Sequence, residues 1–254
     1  MMAQLKAAAQ QQTTGGFAPD DIGSLVVWFD ASDQATITDT AGSVTQWDDK
    51  SATGADLSSY ENAVVTGANT QNSLNVLEFG SAGDSALRSV ATPWMTSTAG
   101  HWTVFGVFNA TDATPTGGVF SQDKGGGTLS ERNPQFMRVG GESMSAVNIA
   151  GSGGPYADNS PTVSDATWYV GATRQDATTL EAFLAGGTNG GTSSTPGRAS
   201  SAAILRVCEA TQQFSHFVGL IGEIIFYQAD LTDSEVNDVG NYLASKWALT
   251  WSDL

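Results

Sequence analysis

Carboxylates are the residues of this chain with the most obvious capacity for acid–base chemistry. Hydrolysis of a glycosidic bond needs two carboxyl groups flanking the scissile bond, roughly 5 to 9.5 Å apart. If both carboxylates lay on one strand, they would have to occupy alternate positions, because every second side chain lies on the same face. Glu223 stands alone in its apolar run, while Glu131 and Glu142 lie in polar or Gly-rich sequence. We therefore predict no catalytic pair, and we predict that the chain is not an enzyme.

Histidine and cysteine offer little further chemistry. A nucleophilic triad would need His101 or His216 as its base, and each lies at an apparent strand edge, typical of a surface or hydrogen-bonded histidine. A zinc site needs three or four nitrogen or sulfur ligands, which the scattered histidines and Cys208 do not supply. Cys208 lies in an apolar run, which predicts a buried, inert thiol and no internal disulfide.

Aspartates in short loops leave two interpretations open. They occur in Asp30-Ala-Ser-Asp33, at Asp48 and Asp49 with Asp56, and at Asp84. Calcium prefers hard oxygen ligands of this kind on loops. Aspartate is also an ordinary turn residue, because its side chain bonds its own backbone. The sequence therefore gives Asp49 and Asp56 as candidate calcium ligands, with a simple turn as the alternative.

Aromatic residues outside the regular pattern are candidates for carbohydrate binding. A sugar site uses an exposed ring with polar groups nearby. Trp94, Tyr156 and Tyr60 lie in loop-like sequence and are the three candidates. Large aromatics in strand-like or helix-like sequence are expected in the core instead; these are Trp28, Trp47, Trp102, Trp168 and Trp247.

Charge excludes two classes of partner. The 254-residue chain has a formal net charge of −16, from 26 acidic and 10 basic residues. Phosphate backbones and anionic membrane surfaces repel such a chain, so we expect neither nucleic acid nor a membrane as partner. No stretch approaches the roughly 18 apolar residues that span a bilayer. Residues 1–16 lack the apolar centre of a secretory signal.

The elements that must position these residues are mainly strands. Residues 25–29 form a continuous apolar run, residues 102–108 are strongly β-prone, and residues 74–79 alternate as a half-buried strand does. Thr232 and Glu235 form a capping box before a short amphipathic helix. The pattern predicts an all-β fold, a two-sheet antiparallel jelly-roll sandwich with a short C-terminal helix. The predicted domain covers residues 22–254, and residues 1–21 form a polar arm.

Three segments share their pattern with a known family: Leu25-Val-Val-Trp-Phe-Asp-Ala-Ser-Asp33, Val44-Thr-Gln-Trp-Asp-Asp-Lys-Ser-Ala-Thr-Gly-Ala-Asp56, and the closing Gly222-Glu-Ile-Ile-Phe-Tyr227 with Leu231-Thr-Asp-Ser-Glu235 and Tyr242-Leu-Ala-Ser-Lys-Trp247. The second matches a Trp-x-Asp-x-Ser-Gly-x-Gly-x-Asp turn, with Ala52 where Gly is usual. Across residues 22–249 the chain thus resembles the concanavalin A-like lectin/glucanase superfamily, in its laminin-G-like jelly-roll branch.

This resemblance implies a set of functions rather than one. Laminin-G-like domains often hold calcium on a rim loop, whereas the Glu-x-Asp-x-(x)-Glu strand of the superfamily's hydrolases is missing here. Phage virion proteins of this architecture suggest a non-enzymatic head decoration, head fibre or tail-associated protein. It would be a homo-oligomer located in the virion, attached to other virion proteins through the arm. The alternative is a lectin-type carbohydrate-binding module or adhesin that binds host-surface glycans, and a weaker alternative is a glucanase-like hydrolase.

Overall fold

Strands dominate the part of the chain that the computed structural model describes, which is residues 16–80, 85–90, 101–113, 117–123, 135–140, 143–147, 156–157, 162–176, 178–187, 193–194, 204–209 and 215–254. In chain order they are β1 (Leu25–Asp30), β2 (Ile37–Thr40), β3 (Ser43–Trp47), β4 (Leu57–Glu61), β5 (Val64–Gln71), β6 (Leu74–Phe79), β7 (Ser85–Ser89), β8 (Trp102–Ala110), β9 (Gly117–Asp123), β10 (Gln135–Gly140), β11 (Ser143–Val147), β12 (Tyr156–Ala157), β13 (Trp168–Gln175), β14 (Thr179–Leu184), β15 (Ser193–Ser194), β16 (Ile204–Val207), β17 (Ser215–His216) and β18 (Gly219–Tyr227). Helix α1 (Asp233–Trp247) follows the last strand.

The strands form two layers. The back sheet, which carries the helix, has the order β1-β18-β8-β13-β14-β15. The front sheet has the order β3-β4-β7-β16-β9-β10-β11-β12. All these pairings are antiparallel, and β5 and β6 connect the layers because β6 pairs with β18 and β5 with β3. The predicted all-β sandwich with a short C-terminal helix is confirmed.

Large side chains from the two sheets meet between the layers. The rings of Phe120 in the front sheet and Phe226 in the back sheet have centroids 6.1 Å apart. Phe29 of β1 and Trp47 of β3 have centroids 5.3 Å apart. All four are fully buried, and burying each stabilises the fold by about 1.5–3 kcal/mol. The outer face of the front sheet points away from this core and is therefore free to carry polar side chains.

A second apolar cluster fixes the helix to the outside of the back sheet. The buried residues of its apolar face include Val236, Val239, Leu243 and Trp247. Phe105 and Val107 of β8 belong to the helix cluster, whereas Val104 and Phe108 of the same strand belong to the core between the sheets. Because β8 is covered on both faces, its sequence is mostly apolar, and its polar residues Thr103 and Asn109 are buried as well. No helix among the described residues is long and apolar enough to cross a membrane.

The described end of the predicted arm lies against this helix. The ring of Phe17 meets that of Tyr242 edge-on at 6.3 Å. The hydroxyl of Tyr227 donates to the carbonyl of Pro19 at 3.0 Å. Residues 16–21 are thus attached to the domain, while residues 1–15 lie outside the described residues and the arm there stays a prediction.

The capping box at the start of α1 gives a test of the fold. The Thr232 hydroxyl accepts from the Glu235 amide at 3.3 Å, and the Glu235 carboxylate accepts from the Thr232 amide at 2.8 Å. We expect Thr232→Ala to lower the free energy of unfolding by about 1 kcal/mol, measured by urea denaturation. Ser234→Ala, on the exposed first turn, is the control and should change it by less than about 0.5 kcal/mol. Equal effects of the two substitutions would contradict the capping role.

Candidate functional site

An exposed aromatic ring lies on the outer face of the front sheet. Tyr60 of β4 is 39% exposed, and Val90, just after β7, is 77% exposed; they are the large apolar residues that stand out to solvent in the described part of the chain. Ser58 pairs in register with Arg88 of β7. Because alternate residues share a face, Tyr60 lies with Ser58 and Val90 lies with Arg88 on this outer surface.

Arg88 holds the Tyr60 ring in place. Its guanidinium carbon lies over the ring, 3.0 Å from the centroid. Its Nε donates to Oε2 of Glu209 at 2.6 Å, and its Nη2 donates to the other oxygen of the same carboxylate. A bidentate arginine–carboxylate pair fixes both the position and the plane of the guanidinium. The Tyr60 ring therefore packs against a guanidinium whose orientation is fixed by Glu209.

Glu209 is anchored by buried partners. Its carboxylate Oε1 accepts from Nη1 of Arg206 at 2.5 Å, and its backbone carbonyl accepts from the Ser121 hydroxyl at 2.7 Å. Arg206 is only 2% exposed and lies in register with Arg88 on one side and Ser121 on the other. We call Tyr60, Arg88, Val90, Arg206 and Glu209 the Tyr60 site. It combines a buried ionic base with an exposed aromatic and aliphatic surface.

The three predicted sugar-binding residues have different outcomes. Tyr60 lies in a strand rather than in the loop that its sequence suggested, and it is exposed. Tyr156 begins β12 beside Val147 at the far edge of the front sheet, and its side chain lies outside the described residues. Trp94 also lies outside the described residues. Carbohydrate binding by all three remains a prediction.

Sequence reasoning missed Arg88 and Glu209, since 121 residues separate them. Their one local signal was the charged Arg88 between the buried Leu87 and Ser89, an alternation that indicates an outward-facing polar position. Nothing in the sequence near Glu209 indicates its pairing with Arg88.

Asp49 closes the open edge of β1. Its Oδ1 accepts from the amides of Trp28 and Ser51, both at 2.9 Å. Its Oδ2 accepts from the hydroxyls of Ser51 and Thr53 and from the amide of Ala55. Each hydroxyl shares its one hydrogen between Asp49 and the carbonyl of Val26 on β1, to which the distances are 2.8 and 2.5 Å. The loop thus satisfies backbone groups that an edge strand would otherwise expose.

The bonds of Asp49 and Asp56 are those expected of turn residues, which was the alternative to calcium binding. Asp56 accepts from the amide of Asp49 at 2.9 Å, so both carboxylates have protein donors as partners. Within the described ranges, no three His, Cys, Asp or Glu side chains are grouped as a metal site requires. Calcium binding at Asp49 and Asp56 stays a prediction, which calcium titration can decide.

A carboxylate pair that the sequence did not indicate lies under the helix. Asp30 of β1 is in register with Glu223 of β18, and Lys246 of α1 bonds both carboxylates at 2.8 Å. The indole nitrogens of Trp28 and Trp247 donate to Glu223 at 2.7 and 2.8 Å. Glu223 is fully buried, and Lys246 and the two indoles occupy its hydrogen-bonding positions. The pair attaches the helix to the sheet.

The two acids respond to their surroundings in opposite directions. Burial raises the pKa of Glu223, and the nearby charge of Asp30 adds to this against the opposing effect of Lys246. Burial also disfavours ionised Asp30, but Lys246 and Lys50 outweigh it and hold the pKa of Asp30 below its ordinary value. Lys50 contacts Asp30 at 2.9 Å and Asp33 at 3.0 Å. Asp30 is thus the stable anion of the pair.

Two other features offer no reactive group. Cys208 is buried, and burial raises the pKa of its thiol well above the usual value, in agreement with the predicted inert cysteine. An open depression of about 570 Å³ lies where β13 and β14 meet the start of α1. Its Arg174 is held by Glu181 at 2.7 Å and by Asp233 at 2.7 Å, so the cation there is already neutralised.

Solved structures of similar fold include carbohydrate-bound proteins. Domain 4 of AbnA, a GH43 extracellular arabinanase from Geobacillus stearothermophilus in complex with arabinotriose, matches with a TM-score of 0.63 and 13% identity, over 85% of this chain and 98% of that one. The binding domain of botulinum neurotoxin DC in complex with SialylT matches with a TM-score of 0.60 and 9% identity, over 89% of this chain and 52% of that one. Trypanosoma rangeli sialidase in complex with sialic acid matches with a TM-score of 0.56 and 9% identity, over 90% of this chain and 34% of that one.

These likenesses show the fold alone. The chain has a lectin-like β-sandwich fold. No protein-family model matches the chain, and no curated protein matches it significantly.

The Asp49 loop gives a prediction that also tests calcium. We expect Asp49→Ala to lower the free energy of unfolding by about 2–4 kcal/mol, because several amide and hydroxyl donors lose a charged acceptor. Asp39→Ala is the control: it removes one exposed bond to the Gly42 amide and should cost about 1 kcal/mol or less. We expect calcium to leave the wild-type melting temperature unchanged. A calcium-dependent rise that Asp56→Ala abolishes would instead support the calcium prediction.

Glu223 should give the fold a distinct pH dependence. Its raised pKa means that the folded state holds more protons than the unfolded state above the ordinary value of 4.5, so its contribution to stability falls as the pH rises through that window. We expect Glu223→Gln to lower stability at pH 7 by about 3 kcal/mol and to remove this fall, in urea unfolding between pH 4 and 8. Asp238→Asn, on the exposed side of α1, should keep the wild-type profile. A profile unchanged by Glu223→Gln would show that Glu223 is not the group responsible.

Proposed function

We propose that this domain is a lectin-type carbohydrate-binding module and that the Tyr60 site is its binding surface. The observation that carries the proposal is the exposed Tyr60 ring fixed on Arg88, on the outer face of the front sheet. Binding sites for small polar ligands combine apolar or aromatic surface with a few well-placed polar groups. The Tyr60 site has this composition in an otherwise acidic chain.

The roles of the residues follow from their contacts. The apolar C–H face of a sugar ring would pack on Tyr60, and Val90 would extend that surface. The hydroxyls of the sugar would bond to the guanidinium of Arg88 and the hydroxyl of Ser58. Because Arg88 is held by Glu209 before any ligand arrives, little conformational freedom is lost on binding, and preorganisation of this kind favours affinity.

The similar structures support a carbohydrate-binding module only through their fold. The arabinanase domain and the sialidase are in complex with sugars. Another similar structure is that of botulinum neurotoxin type C, whose cell entry depends on interaction with two ganglioside molecules. At identities of 13% or less, no ligand transfers to this chain residue by residue. The proposal therefore rests on the chemistry of the Tyr60 site.

A role in catalysis and a role in a virion stay predictions. The prediction that the chain is not an enzyme can be tested with β-glucans, because release of reducing sugar would support the glucanase-like alternative instead. The virion location, the homo-oligomer and attachment through residues 1–21 have no support from the structures reported above. Deletion of residues 1–15 tests that role, because a domain that folds but no longer occupies particles would support it.

Glycan-array screening followed by calorimetry tests the proposed binding site. We expect Tyr60→Ala to weaken binding at least about tenfold, as the loss of an anchoring aromatic usually costs about 2 kcal/mol. Tyr60→Phe keeps the ring and should retain most of the affinity. Melting temperatures of both variants check that the fold is kept. A folded Tyr60→Ala variant that binds its glycan as the wild type does would refute the site.

A further inference from the structure

We propose that the Tyr60 site prefers glycans that carry a single acidic sugar over the corresponding neutral glycans, with Arg88 as the residue that binds the carboxylate. This inference rests on the proposed function, since it names the ligand class of the same site. It depends on three features: the Nη1 donor of Arg88, its single carboxylate partner among the described residues, and the net charge of the whole chain.

One donor nitrogen of Arg88, Nη1, takes no part in its pairing with Glu209. Its Nε and Nη2 are bound to Glu209, and among the described residues no acceptor bonds its Nη1. The side chain is 15% exposed and is stacked on the exposed ring of Tyr60. Arginine donors recognise carboxylates by charge-assisted hydrogen bonds, which are roughly twice as strong as neutral ones. A sugar lying on Tyr60 would bring an acidic substituent next to Nη1.

Three other cations in the described part of the chain each contact two or more carboxylates. Lys50 contacts Asp30 and Asp33, and Lys246 contacts Asp30 and Glu223. Arg174 contacts Glu181, Asp230 and Asp233.

Arg88, by contrast, has Glu209 as its carboxylate partner, and Glu209 also binds Arg206. A ligand carboxylate would give Arg88 a second anionic partner at a place where part of the desolvation cost has already been met in folding.

The net charge of the chain restricts the ligand further. A net charge of −16 repels long polyanions, whose charges extend over the whole surface. At physiological salt, charges separated by more than about 8 Å are largely screened. A single carboxylate next to Arg88 therefore meets mainly the local charges, which are the guanidiniums of Arg88 and Arg206 and the carboxylate of Glu209. The site fits a glycan with one acidic residue better than a polyuronate.

Matched pairs of probes test this preference by calorimetry. The pairs are 3′-sialyllactose with lactose, and glucuronic acid-capped xylotriose with xylotriose; polygalacturonate is the polyanion. We expect the acidic member of at least one pair to bind about 10- to 100-fold more tightly, as hydrogen bonds to charged groups imply. This ratio should fall between 20 mM and 500 mM salt, and polygalacturonate should bind more weakly than the capped probe.

Variants assign the preference to Arg88. Arg88→Gln should bring the acidic-to-neutral ratio close to one, and Arg88→Lys, which keeps the charge, should retain part of it. Arg174→Gln removes an arginine of similar exposure, 13%, from the distant depression and should leave the ratio unchanged. If Arg88→Gln does not fold, the salt dependence of the wild-type ratio still tests the proposal.

The outcomes separate this inference from the proposed function. Equal affinity for acidic and neutral probes, or a preference that survives in folded Arg88→Gln, would overturn the inference. If neutral probes bind and Tyr60→Ala abolishes that binding, the carbohydrate-binding function stands without it. Absence of binding to every probe and to the glycan array would contradict both.

Discussion

Burial of both faces of the central strands is the constraint on which the rest of this structure depends. β8 and β18 contribute side chains to the core between the sheets on one face and to the helix cluster on the other. The back sheet therefore has little outer surface left for a ligand around these strands. On the front sheet the outward positions Ala86, Ser121 and Arg206 are buried as well, whereas Tyr60 on β4 remains exposed on the outer face. Tyr60 and Arg88 lie there because β4 and β7 alternate core and outward positions.

Two ionic clusters supply hydrogen-bond donors to buried carboxylates. Glu223 is fully buried and receives bonds from Lys246, Trp28 and Trp247, so its partners close it completely. Glu209 is also buried, and its partner Arg88, like Lys246, is partly exposed. A buried carboxylate must have donors in both places. At Glu209 the partly exposed partner also lies over the solvent-exposed ring of Tyr60.

The sequence predicted local features well and distant pairings poorly. Apolar runs located β8 and β18, and the spacing of Thr232 and Glu235 located the helix cap, because such signals lie within a few residues. The role of Asp49 was left open between calcium and a turn, since its decisive bond is to the Trp28 amide, 21 residues away. Glu223 stood alone in the sequence because its neighbour Asp30 comes from a strand at the other end of the chain. Register between distant strands, which brings these groups together, leaves no mark in a single sequence.

The same contacts bear on whether this fold could gain hydrolytic activity here. Asp30 and Glu223 are neighbouring carboxylates, but a substrate could reach them only if Lys246 and Trp28 moved away. Lys246 and Trp247 belong to α1, and their bonds to Glu223 attach the helix to the sheet. Opening the pair would leave a buried carboxylate with fewer donors, at a cost of about 3–5 kcal/mol, which is a large part of the stability of a typical domain. Stability and catalysis therefore oppose each other at this pair, whereas at the Tyr60 site the same ionic support leaves the ligand-facing surface free.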